Sequence, residues 1–245
     1  MAHHYSNSLY DRLADRLNRF PQGAPLSDSL FAILKILFSE KEAGLVAQLP
    51  IKPFTVDRAA AIWKLDKATA QNMLEDLAGR AMLLDMEQNG QQMFCLPPPM
   101  AGFFEFSMMR VRGDVNQKAL AELYYQYLNV EEDFVKALFV ENGTPLGRIF
   151  VQEAALPQDG KLEVLDYERA SHIIKTASHI GVSMCYCRHK MQHLGRACDA
   201  PMDICMTFNT SARSLIKYGH ARQVDAAECL DLLAVAQGHN LVQFG

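Results

Sequence analysis

The chain has 245 residues, 49% hydrophobic and 21% charged, with a formal net charge of −4 and a pI of about 6.1. A chain of this length buries one large core or two smaller ones, and its charge excludes a protein drawn to polyanions by bulk electrostatics. No stretch reaches the roughly 18 uninterrupted apolar residues of a membrane span. "MAHHYSNSLYDRL" has no positive region leading into an apolar run, so neither a membrane partner nor a secretory signal is expected. The expected compartment is the cytoplasm. Thiols stay reduced there, and clustered cysteines more often bind metal than pair as disulfides.

Leu9, Leu13, Leu17 and Phe20 recur at helical spacing and predict a first helix, ended by Pro21 and "QGAP". Ser27 is the predicted N-cap of "DSLFAILKILFSEKEAGLVAQL", a strongly apolar helix or pair of helices. Thr55 caps "VDRAAAIWKL" and Asp66 caps "KATAQNMLEDLAGRAML". In "LLDMEQNGQQMFCLPPP" two short strands flank Asn89-Gly90, a hairpin signal because a type I′ turn needs positive φ at both central residues.

Helices followed by a hairpin over residues 28 to 97 predict a winged-helix-like module. The hairpin is then the wing, and Lys67 to Met82 the helix that enters the major groove in DNA-binding members. Thr55 to Pro97 holds four basic residues (Arg58, Lys64, Lys67, Arg80) and six acidic ones (Asp57, Asp66, Glu75, Asp76, Asp85, Glu87). Phosphate contacts need Lys or Arg, so DNA is disfavoured as a partner and a packing or protein-docking role is preferred.

Pro97 to Pro99 predict a stiff hinge and a module boundary near residue 100. Phe103, Phe104, Phe106, Met108 and Met109 read as core or as an interface between modules. "NQKALAELYYQYLNVEEDFVKALF" reads as one long helix or two consecutive ones, "PLGRIFVQEAAL" and "KLEVLD" as short strands, and "YERASHIIKTASHIG" as a helix ending at Gly181. His172 and His179 then share one helical face and are taken as surface or capping residues. Ser211 to Tyr218 predict a helix with Gly219 as its C-cap, and a last helix ends at Gly238 before a strand. The expected fold is mainly α with short β elements (α+β). A winged-helix-like module spans residues 1–100 and a small α+β cysteine module spans 101–245.

The chemistry concentrates in "CYCRHKMQHLGRACDAPMDIC", which holds Cys185, Cys187, Cys198 and Cys205, four of the chain's six cysteines, in 21 residues. Four thiolates hold either a tetrahedral zinc or an iron–sulfur cluster. A Cys-x-Cys pair in extended chain points its sulfurs to opposite faces, so the segment must bend to aim both at one atom. A cubane accepts close cysteines on different corners, which favours [4Fe–4S]. Zn2+ is the alternative, with His193 replacing a cysteine, and unliganded thiols remain a third reading. Arg188, His189, Lys190 and Arg196 are placed in the intervening loop, where they offset the charge of an anionic centre. Cys95 and Cys229 stand apart and read as small buried hydrophobes.

The run from Cys185 to Asn209 continues as "CYCR", then H-x-G-x2-C-x2-P-x3-C-M-x-F-N, a Y-G-x-A-R helix end and G-x-N-L-V. With "FFEFSMMRVR" and "LYYQYLNVEEDF" upstream, it resembles a group of 4Fe-4S-binding, ferredoxin-like proteins of anaerobic bacteria, over most of the chain. The resemblance carries over Cys185, Cys187, Cys198 and Cys205 as matched positions. In that group G-x-N-L-V runs on into a cysteine-dense stretch; this chain ends at Gly245 before one.

The expected function is a [4Fe–4S]-binding protein in electron transfer. Cys185, Cys187, Cys198 and Cys205 are the ligands, Arg188, Lys190 and His193 lie beside the cofactor, and a protein is the redox partner. A redox-responsive winged-helix regulator and a zinc-stabilised interaction module are the alternatives, and a homodimer is left open. No Gly-rich phosphate loop, His-Glu-x-x-His helix or Gly-x-Ser-x-Gly elbow is present, so an electron carrier is expected rather than an enzyme. Asn142-Gly143-Thr144 reads as a turn, and a thiol activated by Arg188 and Lys190 is the residual catalytic reading.

Overall fold

A computed structural model of the chain describes residues 8–138 and 169–241. These residues form a mixed α+β structure with two small sheets among them. The predicted strands of 145–156 and 161–166, the Asn142 turn and the end of the chain after Leu241 lie outside the described residues. Among the described residues no helix is long and apolar enough to cross a membrane.

The first part runs α1 (Leu9–Leu17), α2 (Asp28–Leu37), α3 (Glu40–Val46), α4 (Val56–Trp63), α5 (Lys67–Gly79), then β1 (Leu84–Gln88) and β2 (Gln91–Cys95). The caps form where the sequence predicts them. Ser27 Oγ accepts from the Leu30 N–H at 3.1 Å, Thr55 from Arg58 at 3.2 Å and Asp66 from Thr69 at 2.9 Å. The apolar stretch from Ser27 is a helix pair, divided at Ser39, which forms a reciprocal capping box with Glu42. Asn89 and Gly90 have φ of 53° and 74°, as a type I′ turn requires, and β1 pairs antiparallel with β2 from Leu84–Cys95 to Gln88–Gln91.

The hydrophobic core does not stop at residue 100. Pro97 and Pro99 are buried, and the chain after them fills the core of the N-terminal helices. The short α6 (Phe104–Phe106) places the Phe104 ring 4.9 Å from Phe103 and 5.0 Å from Tyr124. Tyr124 belongs to α7 (Gln117–Tyr125), which continues as a π-helical stretch to Val130 before α8 (Asp133–Lys136). The aromatic cluster therefore welds 99–138 onto 9–96, and the triple proline is packed chain rather than an exposed hinge.

The second part is α9 (Ala170–Thr176), β3 (Ile180–Met184), α10 (Tyr186–His193), β4 (Asp203–Phe208), α11 (Asn209–Lys217), β5 (Arg222–Gln223) and α12 (Ala226–Gly238). Its sheet has the order β4-β3-β5, antiparallel throughout, and its small core holds Ile174, Ile180, Val182, Cys229 and Leu233. The expected helix through Gly181 ends at Thr176, because the chain then pairs as β3 with β4 and β5. A Cβ on Gly181 would lie 2.9 Å from the Ala221 Cβ, so the strand's close neighbours leave room only for glycine. His172 and His179 consequently do not share a helix face.

The two parts meet along a polar seam. Asp85 on β1, its side chain 7% exposed, pairs with Lys217 and accepts from Tyr218 Oη at 3.1 Å and from Gln92 Nε2 at 2.7 Å. The Asp85 N–H donates to Ser214 Oγ at 3.0 Å. His220 Nε2–H donates to the Gly79 carbonyl at 2.8 Å, and its Nδ1 faces the Arg110 guanidinium. The acidic hairpin residues thus dock α11, with Glu87 on Arg213 at the rim. Asp85→Ala should cost about 2–3 kcal/mol in urea unfolding, since it removes the buried acceptor shared by Lys217, Tyr218 and Gln92. Glu87→Ala, which breaks an exposed pair, should cost under about 1 kcal/mol; equal losses would contradict this account of the seam.

Candidate metal centre

Strand β3 ends at Met184, and Cys185 becomes the N-cap of α10 with extended φ and ψ of −66° and 112°. The Cys185 N–H donates to the Met202 carbonyl at 2.7 Å, tying the bend to the chain entering β4. Cys187 lies in the first helical turn. The predicted loop around Arg188, His189 and Lys190 is therefore a helix, and this strand-to-helix change supplies the bend that a Cys-x-Cys pair needs. Cys205 sits on β4 opposite Ser183, and Cys198 on the exposed stretch between α10 and β4. All four cysteines line one cavity of about 660 Å³. They do so without closing on one point: among the described residues no three His, Cys, Asp or Glu side chains are grouped to hold a metal ion.

The thiols differ in their environments. A hydrogen bond from the Cys187 thiol, backbone N–H groups of Arg188 and Cys187 and the Arg188 charge hold Cys185 down to about 6, against burial. The same Cys185 contact and burial push Cys187 up. Cys198 is lowered by the Ala200 N–H and by Arg188, whose Nε donates to its sulfur at 3.3 Å. Cys205 is pushed up to about 12 by burial, with the charges of Cys185 and Glu105 adding to it. Arg188 also donates to the Pro201 carbonyl, so one guanidinium organises the stretch that carries Cys198.

The other expected residues divide. Arg188 and Arg196 line the cavity, and the Arg196 guanidinium lies 5.5 Å from the Tyr125 ring centroid. Lys190 does not line it; its Nζ donates to Asn129 Oδ1 at 2.8 Å and sits over the Tyr186 ring. Burial lowers the Lys190 ammonium, opposed by the Cys187 charge, so it acts on the thiols at a distance. His193 also lies off the cavity wall, its ring 4.9 Å from that of His189, and His189 Nδ1 is 2.7 Å from the Met108 carbonyl. Cys95 and Cys229 stand outside the wall with thiols raised to about 11 by burial.

Glu105 was not anticipated. It lines the cavity beside the thiols, accepts from the Gly102 N–H at 2.8 Å, and is pushed up to about 7 by burial. Its signal was a lone carboxylate inside the aromatic run "FFEFSMM". Comparison of the chain with family models, with curated proteins and with solved structures finds no match.

A carboxyl raised from 4.5 to about 7 on folding costs nothing below pH 4.5; the cost grows as pH rises and is complete above about 7. Glu105→Gln should therefore gain about 2–3 kcal/mol over the metal-free parent at pH 8 and little at pH 4. His220, lowered from 6.5 to about 4 by burial and then Arg110, contributes the opposite slope to both proteins and cancels in the comparison. A difference between the two that is flat with pH would contradict the Glu105 environment. In metal-free protein, iodoacetamide should modify Cys185 with a pH midpoint near 6 and leave Cys205 protected at neutral pH, read by peptide mass spectrometry.

Proposed function

We propose that this chain is an iron–sulfur protein that carries electrons to a protein partner in the cytoplasm. Cys185, Cys187, Cys198 and Cys205 are the ligands of its [4Fe–4S] cluster. The observation that supports this most is the convergence of all four on one cavity from a helix N-cap, a first helical turn, an exposed stretch and a strand. The donor set fits. Two of the thiols are lowered, guanidinium groups flank them, and four sulfurs sharing a wall without meeting at a point suit a cube better than one tetrahedral zinc.

A cluster held there supplies one-electron transfer. The chain's own residues do the rest. Arg188 holds Cys198 in place and donates to its sulfur, Arg196 adds positive charge at the cavity, and the Lys190 ammonium reaches Cys187 electrostatically. Each favours the more negative, reduced state.

Helices α2 to α5 with the β1–β2 hairpin make a winged-helix-like unit that serves as a scaffold. A redox-responsive regulator is the second reading, favoured by one feature: β4, which carries Cys205, runs directly into α11, and α11 grips the hairpin through Asp85. Because α11 occupies that side of β1, the hairpin's acidity serves docking within the chain rather than contact with DNA.

Anaerobically purified protein should take up one electron reversibly, with a paramagnetic signal on reduction that Cys198→Ser and Cys205→Ser each abolish or alter. Arg188→Gln should move the potential to a more negative value without removing the chromophore. A protein that accepts no electron, or a potential indifferent to Arg188→Gln, would remove the electron-transfer reading or the role of Arg188 in turn.

A further inference from the structure

Helix α10 carries a second pair of ligand-type side chains besides its cysteines. His189 and His193 stand four residues apart, so they share one face of the helix. Their rings lie 4.9 Å apart between centroids and are tilted by 40°. That spacing has a chemical meaning. A metal–imidazole bond is about 2.1 Å and the ring centre lies about 1.1 Å behind the nitrogen, so two imidazoles in cis or tetrahedral positions on one ion have centroids about 4.5–5.2 Å apart. The pair already stands at that distance.

The hydrogen bonds of the two rings are a separate observation. His189 Nδ1–H donates to the buried Met108 carbonyl at 2.7 Å. This is how metal-binding imidazoles are commonly held, because it fixes the ring and leaves the Nε2 lone pair free. The His193 imidazole makes no hydrogen bond among the described residues, and its Nε2 is buried without a partner. No bond therefore stops the His193 ring from turning either nitrogen toward its neighbour. His193 is half-buried at the last residue of α10, and the exposed stretch 195–199 follows, so an ion from solvent meets this end of the pair first. Burial, then His189 and Lys118, hold His193 below its usual range, which keeps it in the neutral, ligating form. Lys118 is exposed, so solvent screens its charge.

We propose that His189 and His193 are the protein ligands of a second metal site, one that takes a late first-row divalent ion of the Zn2+ class. Imidazole nitrogens select such ions over Mg2+ or Ca2+, which prefer oxygen. No third His, Cys, Asp or Glu is grouped with the pair among the described residues, so water completes the coordination and the site stays open. Neither histidine lines the cysteine cavity, so the site is separate from the four thiols and holds whatever they bind.

The test is protection of His193 from diethylpyrocarbonate by Zn2+, on the full chain purified without oxygen and read by peptide mass spectrometry. The readout is one residue, so zinc taken up by thiols does not register in it. Zn2+ should protect His193 saturably, Mg2+ should not, and His172, exposed on α9, should react at an unchanged rate. His189→Asn keeps an N–H donor toward Met108 and removes Nε2, so it should fold as the parent does. It should raise the zinc needed for half-protection by about tenfold or more. No protection by Zn2+, equal protection by Mg2+, or equal protection in His189→Asn and the parent would overturn the proposal. The last of these outcomes would place His193 on a metal without His189. Iron and sulfide counted in the same samples report separately on the iron–sulfur reading.

Discussion

The change from strand to helix at Cys185 is the constraint on which the site depends. Extended chain sends alternate side chains to opposite faces, so Cys185 and Cys187 diverge if β3 simply continues. The Cys185 N–H bond to the Met202 carbonyl ties the turn to the approach of β4. Helix α10 then begins, and its first turn brings Cys187 round to the cavity that Cys205 faces from the neighbouring strand. The turn is held from the other side too. Tyr186 is part of the larger core, and His189 is fixed on the Met108 carbonyl, so the helix that carries the cysteines is anchored in the N-terminal half.

That anchoring brings the two hydrophobic cores of the described residues to one cysteine-lined cavity. The smaller core beneath the three-stranded sheet supplies Ile174 and Leu233 to the cavity wall, and the larger core supplies Phe106 and Tyr186, with Glu105 beside Phe106 on α6. The Asp85 seam joins the same two halves from the hairpin side. Its buried carboxylate is satisfied by Lys217, Tyr218 and Gln92 together, which makes it specific as well as stabilising. Acidic residues that argued against nucleic acid when counted along the sequence acquire a positive role here, as the complement of a basic face on α11.

Local chemistry was legible wherever a single residue type dictates a backbone geometry. Ser27, Thr55 and Asp66 cap the helices they precede, Asn89-Gly90 makes the hairpin turn, and α12 ends at Gly238. Gly219, at φ 71°, follows the end of α11 as a left-handed C-terminal residue. What could not be read is non-local. Helix α10 is rich in Cys, Arg, His and Lys and has no clean apolar stripe, so it passes for a loop; its helical state comes from packing against α7. Strand β3 follows a helix whose apolar spacing runs on through Ile180, and only pairing with β4 and β5 ends that helix early. The boundary at Pro97–Pro99 failed to separate cores because Phe103, Phe104 and Phe106 turn back into the first one. Of the site, the four cysteines and the two arginines on the cavity wall were legible from their spacing. Glu105 and Tyr186 were not, since burial against distant helices is what makes a carboxyl or a hydroxyl chemically distinctive.

The most direct test of the central claim is a count of iron, acid-labile sulfide and zinc per chain on protein purified and kept without oxygen. The account predicts about four irons and four sulfides per chain with broad visible absorption, reduced or lost in Cys198→Ser. Zinc near one per chain without sulfide would contradict it, and would make the cysteine cavity a structural staple beside the docked hairpin.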